Sequence, residues 1–122
     1  MKSILLLATL LFAAQASALG QGKLEGVTIT EIFVDGRAGI YGGCLIALDV
    51  NPNTIDASCQ YGKVSLSCDG LVGVTKGNAA INLSMVQLAF VTGSTVDLWV
   101  DANKNAGGAC VATSVWLAST PG

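Results

Sequence analysis

Few residue types in this 122-residue chain could do chemistry, and the first observation is an absence: it contains no histidine. Imidazole acid–base catalysis, Ser-His-Asp triads and His-ligated metals are therefore excluded. Four cysteines remain as candidates: Cys44, Cys59, Cys68 and Cys110. None forms a C-x-x-C pair, so a zinc site is not expected, and no imidazole exists to activate a thiol nucleophile. Residues 1–18 explain them better. Lys2 supplies a positive start, Ile4 to Ala14 an apolar run, and Ala16-Ser17-Ala18 a small-residue cleavage motif, which together read as a secretory signal. The run is interrupted by Thr9 and followed by Gln15, too short for the roughly 20 residues of a spanning helix. In an exported domain, four cysteines imply two disulfides with three possible connectivities. Cys44 and Cys59 lie symmetrically about Asn51-Pro52. Two strands folding back there would set those sulfurs opposite each other, so this reading pairs Cys44 with Cys59 and leaves Cys68 with Cys110. Each bridge is worth about 2–4 kcal/mol.

Asp101-x-Asn103-x-Asn105-x-Gly107 is the one oxygen-rich pattern that invites a calcium reading. Glycine comes one place late and Ala112 stands where a closing Glu would be needed. A turn between two strands explains the same residues better. No metal or cofactor is expected, and without a nucleophile–base set or a phosphate-cradling glycine motif the chain reads as a non-enzyme.

The elements that must position any remaining site follow from periodicity. Residues 23–34 read as a strand with Val27 and Ile29 on one face, whose parity slips at Glu31 toward Ile32 and Val34, the mark of a bulge. Residues 40–50 and 57–68 read as the second and third strands, weakened in the first case by Gly42-Gly43. Asn78 caps a helix running to about residue 91, with Ile81, Met85, Leu88 and Ala89 as its buried stripe and Gly93 as its terminator. Residues 94–101 form a fourth strand with Val96, Leu98 and Val100 inward, and residues 110–118 a fifth. The Asn82-Leu83-Ser84 sequon falls inside the helix and reads as chance.

The resulting order, β-β-β-α-β-β, is that of the OB-fold, a small five-stranded barrel with one helix, here mainly β and disulfide-stapled. Residues 19–122 would form this single domain after removal of the signal. Apolar residues make up 52% and charged residues 11%, enough to exclude disorder. Six Lys/Arg against eight Asp/Glu argue against the basic groove that single-stranded nucleic acid requires; the third strand offers only Tyr61 and Lys63.

Three residues stand out as ligand or interface candidates. Trp99 shares its parity with Asp97 and Asp101 and so points away from the core, where it could stack on a sugar, anchor a subunit or pack under a loop. Asp97 stands beside it. Tyr41, next to Gly42-Gly43, is a similar but weaker case. Trp116, on the fifth strand, is expected in the core or at a barrel end.

Several stretches resemble the pentameric receptor-binding B subunits of bacterial toxins, of the subtilase cytotoxin and typhoid toxin type. These are Gly26-Val-Thr-Ile-Thr-Glu-Ile, Tyr41-Gly-Gly-Cys44-Leu-Ile, Ala57-Ser-Cys59 and Phe90-Val-Thr-Gly93-Ser-Thr-Val-Asp-Leu-Trp99. The resemblance implies an OB-fold, a first disulfide between Cys44 and Cys59, a homo-oligomeric ring and glycan binding. The sialic-acid contacts of that family do not carry over: Glu25, a position near Gln21, and Val100 stand where it has serine, aspartate and tyrosine. A carboxylate at Glu25 would repel an acidic sugar. The expectation is thus an exported (periplasmic or secreted) non-enzymatic module with a glycan or protein partner, no nucleic acid and no membrane span. The rival is a monomeric periplasmic accessory protein of the same fold with no small ligand.

Overall fold

The computed structural model describes residues 21–37, 39–54, 59 and 62–117; the expected signal segment and Tyr61, Ala57 and Ser58 lie outside them. Five strands, β1 (Gln21–Val34), β2 (Cys44–Leu48), β3 (Lys63–Ser65), β4 (Thr95–Ala106) and β5 (Ala109–Leu117), close into a barrel. The single helix α1 (Lys76–Thr92) lies between β3 and β4 in sequence. Around the barrel the order is β1-β2-β3-β5-β4, antiparallel throughout except for β3 beside β5. This is the OB-fold closure that the element order predicts.

A long first strand makes the closure possible. β1 pairs with β4 through its first half and with β2 through its second, and a bulge relieves each pairing. One falls between Ile29 and Glu31, where the apolar parity slips. The other lies between Leu24 and Val27, where Gly26 takes a φ of 64° that suits glycine. Beyond the first bulge Ile32 packs against the core, but Val34 at the strand end is exposed.

The other strands depart from their expected limits for local reasons. β2 begins at Cys44 rather than at 40, because Tyr41–Gly43 form a 3-10 turn with positive φ at all three residues. β3 is only three residues long. β4 does not stop at Asp101: it runs to Ala106 through a register shift between Asp101 and Asn105, and the turn is confined to Gly107-Gly108. Asp101 is buried and its Oδ1 accepts a hydrogen bond from the Asn103 N–H at 2.9 Å, while Asn105 Oδ1 accepts from the Gly108 N–H. These oxygens hold a bulge and a turn in place.

Helix α1 starts earlier than expected. Thr75, not Asn78, is the cap, and its Oγ1 accepts from the Asn78 N–H at 3.2 Å. Gly93 ends the helix in the left-handed conformation, as glycine there predicts. The buried stripe is Ala79, Asn82, Val86 and Ala89; Ile81 and Leu88, expected in it, are exposed. Between Gly77 and Thr92 the helix carries no charge and its polar residues Asn78, Asn82, Ser84 and Gln87 are spread around it, so periodicity does not select one face. The sequon residue Asn82 lies on the buried side.

The disulfides correct the expected pairing. Cys44 is bonded to Cys68 and Cys59 to Cys110, with Cα separations of 5.7 and 5.1 Å. The register explains why. β2 and β3 pair Ile46 with Val64, so the chain folds back beyond Asn51-Pro52 and Cys44 meets the Leu66 backbone instead of Cys59. Cys68, two residues on, takes the first bridge. Cys59 precedes β3 and reaches β5, the strand parallel to it.

Val64, Val86, Val96, Val100 and Val111, with Ile46, Leu66 and Leu98, fill the interior around both bridges. Among the described residues no aromatic side chain is buried, and no helix is long and apolar enough to cross a membrane.

Candidate functional site

Apart from Phe90 on α1, the described aromatics stand on two outer faces of the barrel, each with a lysine. The first is formed by β1, β4 and β5. Register places Lys23 opposite Trp99 across the β1–β4 pairing, and Asp97 opposite Trp116 across β4–β5. The Lys23 Nζ lies 4.8 Å from the Trp116 ring centre, 5.8 Å from that of Trp99 and 3.8 Å from Asp97 Oδ2. Asp97 is itself fixed, since its Oδ1 accepts from the Gly26 N–H at 2.9 Å and so ties it to the β1 bulge. Trp99 is 40% exposed and Trp116 54%. Two indole faces therefore flank an ammonium whose charge Asp97 offsets. Such a platform can stack on the C–H face of a ring and offer polar groups at its edge.

The candidates Trp99 and Asp97 are thus brought together, and Trp99 points outward as its parity requires. Trp116 was expected in the core or at a barrel end and is instead on this face. The cause is a register shift: Trp99 pairs with Ser114 but Val100 with Ala112, which leaves Thr113 unmatched. That extra residue inverts the parity of β5, so Cys110, Ala112 and Val115 face inward and Trp116 outward. Lys23 was missed as well. Its signal would have been the β1–β4 register that closes the barrel, which no short-range pattern carries.

Tyr41 belongs to the second face. Phe33, Asp35, Arg37, Ile40, Tyr41 and Lys63 line a cleft of about 330 Å³ whose floor is Leu45 on β2. It lies over β1–β2–β3 at the loop joining the first two strands, on the side of the barrel where OB-folds place their ligands. Lys63 Nζ is 5.5 Å from the centre of the Phe33 ring. At the mouth, Asp35 takes both Nε and Nη2 of Arg37, and its Oδ1 also accepts the Arg37 backbone N–H at 3.0 Å. These bonds, the side-chain ones first, hold the Asp35 carboxyl at about 2, well below its ordinary 3.8, and push the Arg37 guanidinium upward.

Tyr41 itself is held in a conformation that bulky residues avoid, with φ 48°, a strain of about 1–3 kcal/mol. Buried chemistry maintains it. The Ser65 hydroxyl, fully buried, donates to the Tyr41 carbonyl at 2.8 Å and accepts from the Ser67 N–H at 3.0 Å. Ser67 is the second non-glycine residue with positive φ, at 53°, and its Oγ accepts from the Val72 N–H. One hydroxyl thus bridges two strained backbones, and the Cys44–Cys68 bond crosses the same two segments. The Tyr41 ring lies against Gly107, where a Cβ would come within 3.0 Å of it, so Tyr41 also ties this loop to the β4–β5 turn.

Glu25 is exposed on β1, and Val100 is buried in the core. Among the described residues no group of three or more His, Cys, Asp and Glu could hold a metal. Comparison of the chain with protein-family models, with curated proteins and with solved structures finds no match.

Proposed function

We propose that this chain is an exported, non-enzymatic binding module that takes a glycan on the Trp99–Trp116 face and assembles with copies of itself. The observation that carries the reading is the platform itself: two half-exposed indoles 4.8 and 5.8 Å from one ammonium, on an outer sheet face. An isolated exposed aromatic needs no explanation, but two sharing an anchored lysine form a contact surface. A sugar ring suits it, because its C–H face stacks on indole while its hydroxyls reach Asp97 and Lys23. The sialic-acid contacts of the toxin B subunits do not correspond, so the glycan sought is a neutral one.

Assembly rests on a second observation. Ile81, Leu88 and Val91 stand outward on α1 with no charged residue among them, the kind of surface that a subunit contact covers. The resemblance to ring-forming B subunits points the same way, and the two disulfides suit an oxidising compartment.

A glycan array, followed by titration of tryptophan fluorescence with each neutral glycan that binds, tests the ligand. Trp99→Ala and Trp116→Ala should each abolish both signals while leaving the circular dichroism unchanged. Light scattering behind size exclusion tests the assembly. A monomer at micromolar concentration that ignores every glycan would leave the accessory-protein reading in its place.

A further inference from the structure

We infer that the cleft beneath Tyr41 is a second, separate binding site, built for a small amphipathic anion: a ring-shaped apolar body carrying one carboxylate. Three independent observations carry it. The first is volume and lining, since about 330 Å³ walled by Phe33, Ile40, Tyr41 and Leu45 is the size and character of a small-molecule site. The second is charge. Arg37 and Asp35 neutralise each other at the mouth, and Lys63 is the lining cation that, among the described residues, makes no ion pair. Glu31 opens onto the same sheet face, paired with Ala47 as Lys63 is, but forms no salt bridge with it. The described lining of the cleft is therefore net positive in a chain whose formal charge is −2.

The third observation is preorganisation. A strained Tyr41, its carbonyl fixed by a buried serine and its loop stapled by Cys44–Cys68, is a costly arrangement that a barrel does not need for closure. Strain of this kind accumulates where a ligand is clamped. With Lys63 Nζ 5.5 Å from the Phe33 ring, a carboxylate on that ammonium places the body of the same molecule against Phe33 and Tyr41. Charge and apolar wall are then read together, and neither alone selects the ligand.

The test uses benzoate as the probe, with benzyl alcohol as its uncharged counterpart, each titrated to about 20 mM against the 15N-labelled disulfide-bonded protein, a range suited to so small a ligand. Benzoate should shift the amides of Phe33, Ile40, Tyr41, Leu45 and Lys63, and benzyl alcohol should bind about tenfold more weakly, the worth of one charge-assisted contact. Lys63→Met, which keeps the stem and removes the charge, should weaken benzoate about tenfold with the rest of the spectrum unchanged. Phe33→Ala should weaken both probes. The double variant Trp99→Ala, Trp116→Ala should leave benzoate binding intact, so failure of the glycan reading would not touch this one. Equal binding of the two probes, benzoate binding unchanged in Lys63→Met, shifts confined to Lys23, Trp99 and Trp116, or no shift at all would each overturn it.

Discussion

The disulfide connectivity makes a prediction that separates two pairings with one variant. Cys44–Cys68 closes a loop of 24 residues and Cys59–Cys110 one of 51. Restriction of the unfolded chain grows with the logarithm of loop length, giving about 3.5 kcal/mol for the shorter loop and about 4 kcal/mol for the longer. Replacing both partners of one bridge by alanine, as in Cys59→Ala with Cys110→Ala, should therefore cost about 4 kcal/mol and leave a folded protein. The mixed variant Cys44→Ala with Cys59→Ala strikes both bridges at once. Its cost should be about 7–8 kcal/mol, comparable to the whole stability of a domain this size, and it should be unfolded without denaturant. Urea unfolding followed by circular dichroism distinguishes the two cases, with the slope against denaturant reporting whether each unfolds from a compact state. Under the alternative pairing of Cys44 with Cys59 and Cys68 with Cys110, the mixed variant would lose one bridge only and the Cys59, Cys110 variant both, so the order of stability would reverse. A mixed variant more stable than the Cys59, Cys110 variant would refute the register argument, and non-reducing peptide mapping that joined Cys44 to Cys59 would do so directly.

Gly42→Ala should lower the urea midpoint by the equivalent of about 2–4 kcal/mol, because strain at positive φ adds to a steric clash. Gly42 has φ 73° and a Cβ there would stand 2.6 Å from Ser65 Oγ, the hydroxyl that holds Tyr41; an unchanged midpoint would mean that this contact is not rigid. The Asp35 carboxyl should titrate near pH 2 when followed by carbon NMR, and Arg37→Ala should return it toward 3.8. Because the folded value is the lower one, the ion pair favours the folded state fully above about pH 4 and loses that contribution as pH falls toward 2. A midpoint near 3.8 in the unsubstituted protein would show that the loop clamp does not form.

What could be read from the residues depended on the range of the interaction that decided each feature. The alternation of Val96, Leu98 and Val100, the slip at Glu31 and the terminator Gly93 are decided within a few residues, and the structure follows them. The disulfide pairing depended on the register of a long hairpin, which the symmetric position of Asn51-Pro52 misplaced. The helix stripe failed for a different reason: the few polar residues of α1 are spread around it and mark no solvent side, so the tertiary contact with the barrel chose Ala79, Asn82 and Val86. At the candidate sites the single residues Trp99, Asp97 and Tyr41 could be picked out, but their partners could not. Lys23 is 76 positions from Trp99 and Phe33 is 30 from Lys63, and only closure of the barrel makes them neighbours. The unmatched Thr113 that turns Trp116 outward left no mark in the sequence.

Where the aromatic residues went bears on function more than any of these. A small barrel gains most from burying large rings, since Phe, Tyr and Trp remove about 150–250 Å² each from water. This one does the opposite. Among the described residues its interior is closed with valine, alanine, isoleucine, leucine and two disulfides, while Phe33, Phe90, Trp99 and Trp116 remain at least 40% exposed. The stability forgone must come from elsewhere, and the cross-links supply it by restricting the unfolded chain instead of by enlarging the core. Phe33, Trp99 and Trp116 are not scattered, either: each has a lysine ammonium over its ring. Among the described residues the rings thus stay outside, and three of them lie beside an ammonium. Under the proposed reading, covalent stapling and surface recognition belong together: the bridges give the barrel stability that buried rings would otherwise supply, and the rings stay outside for contact.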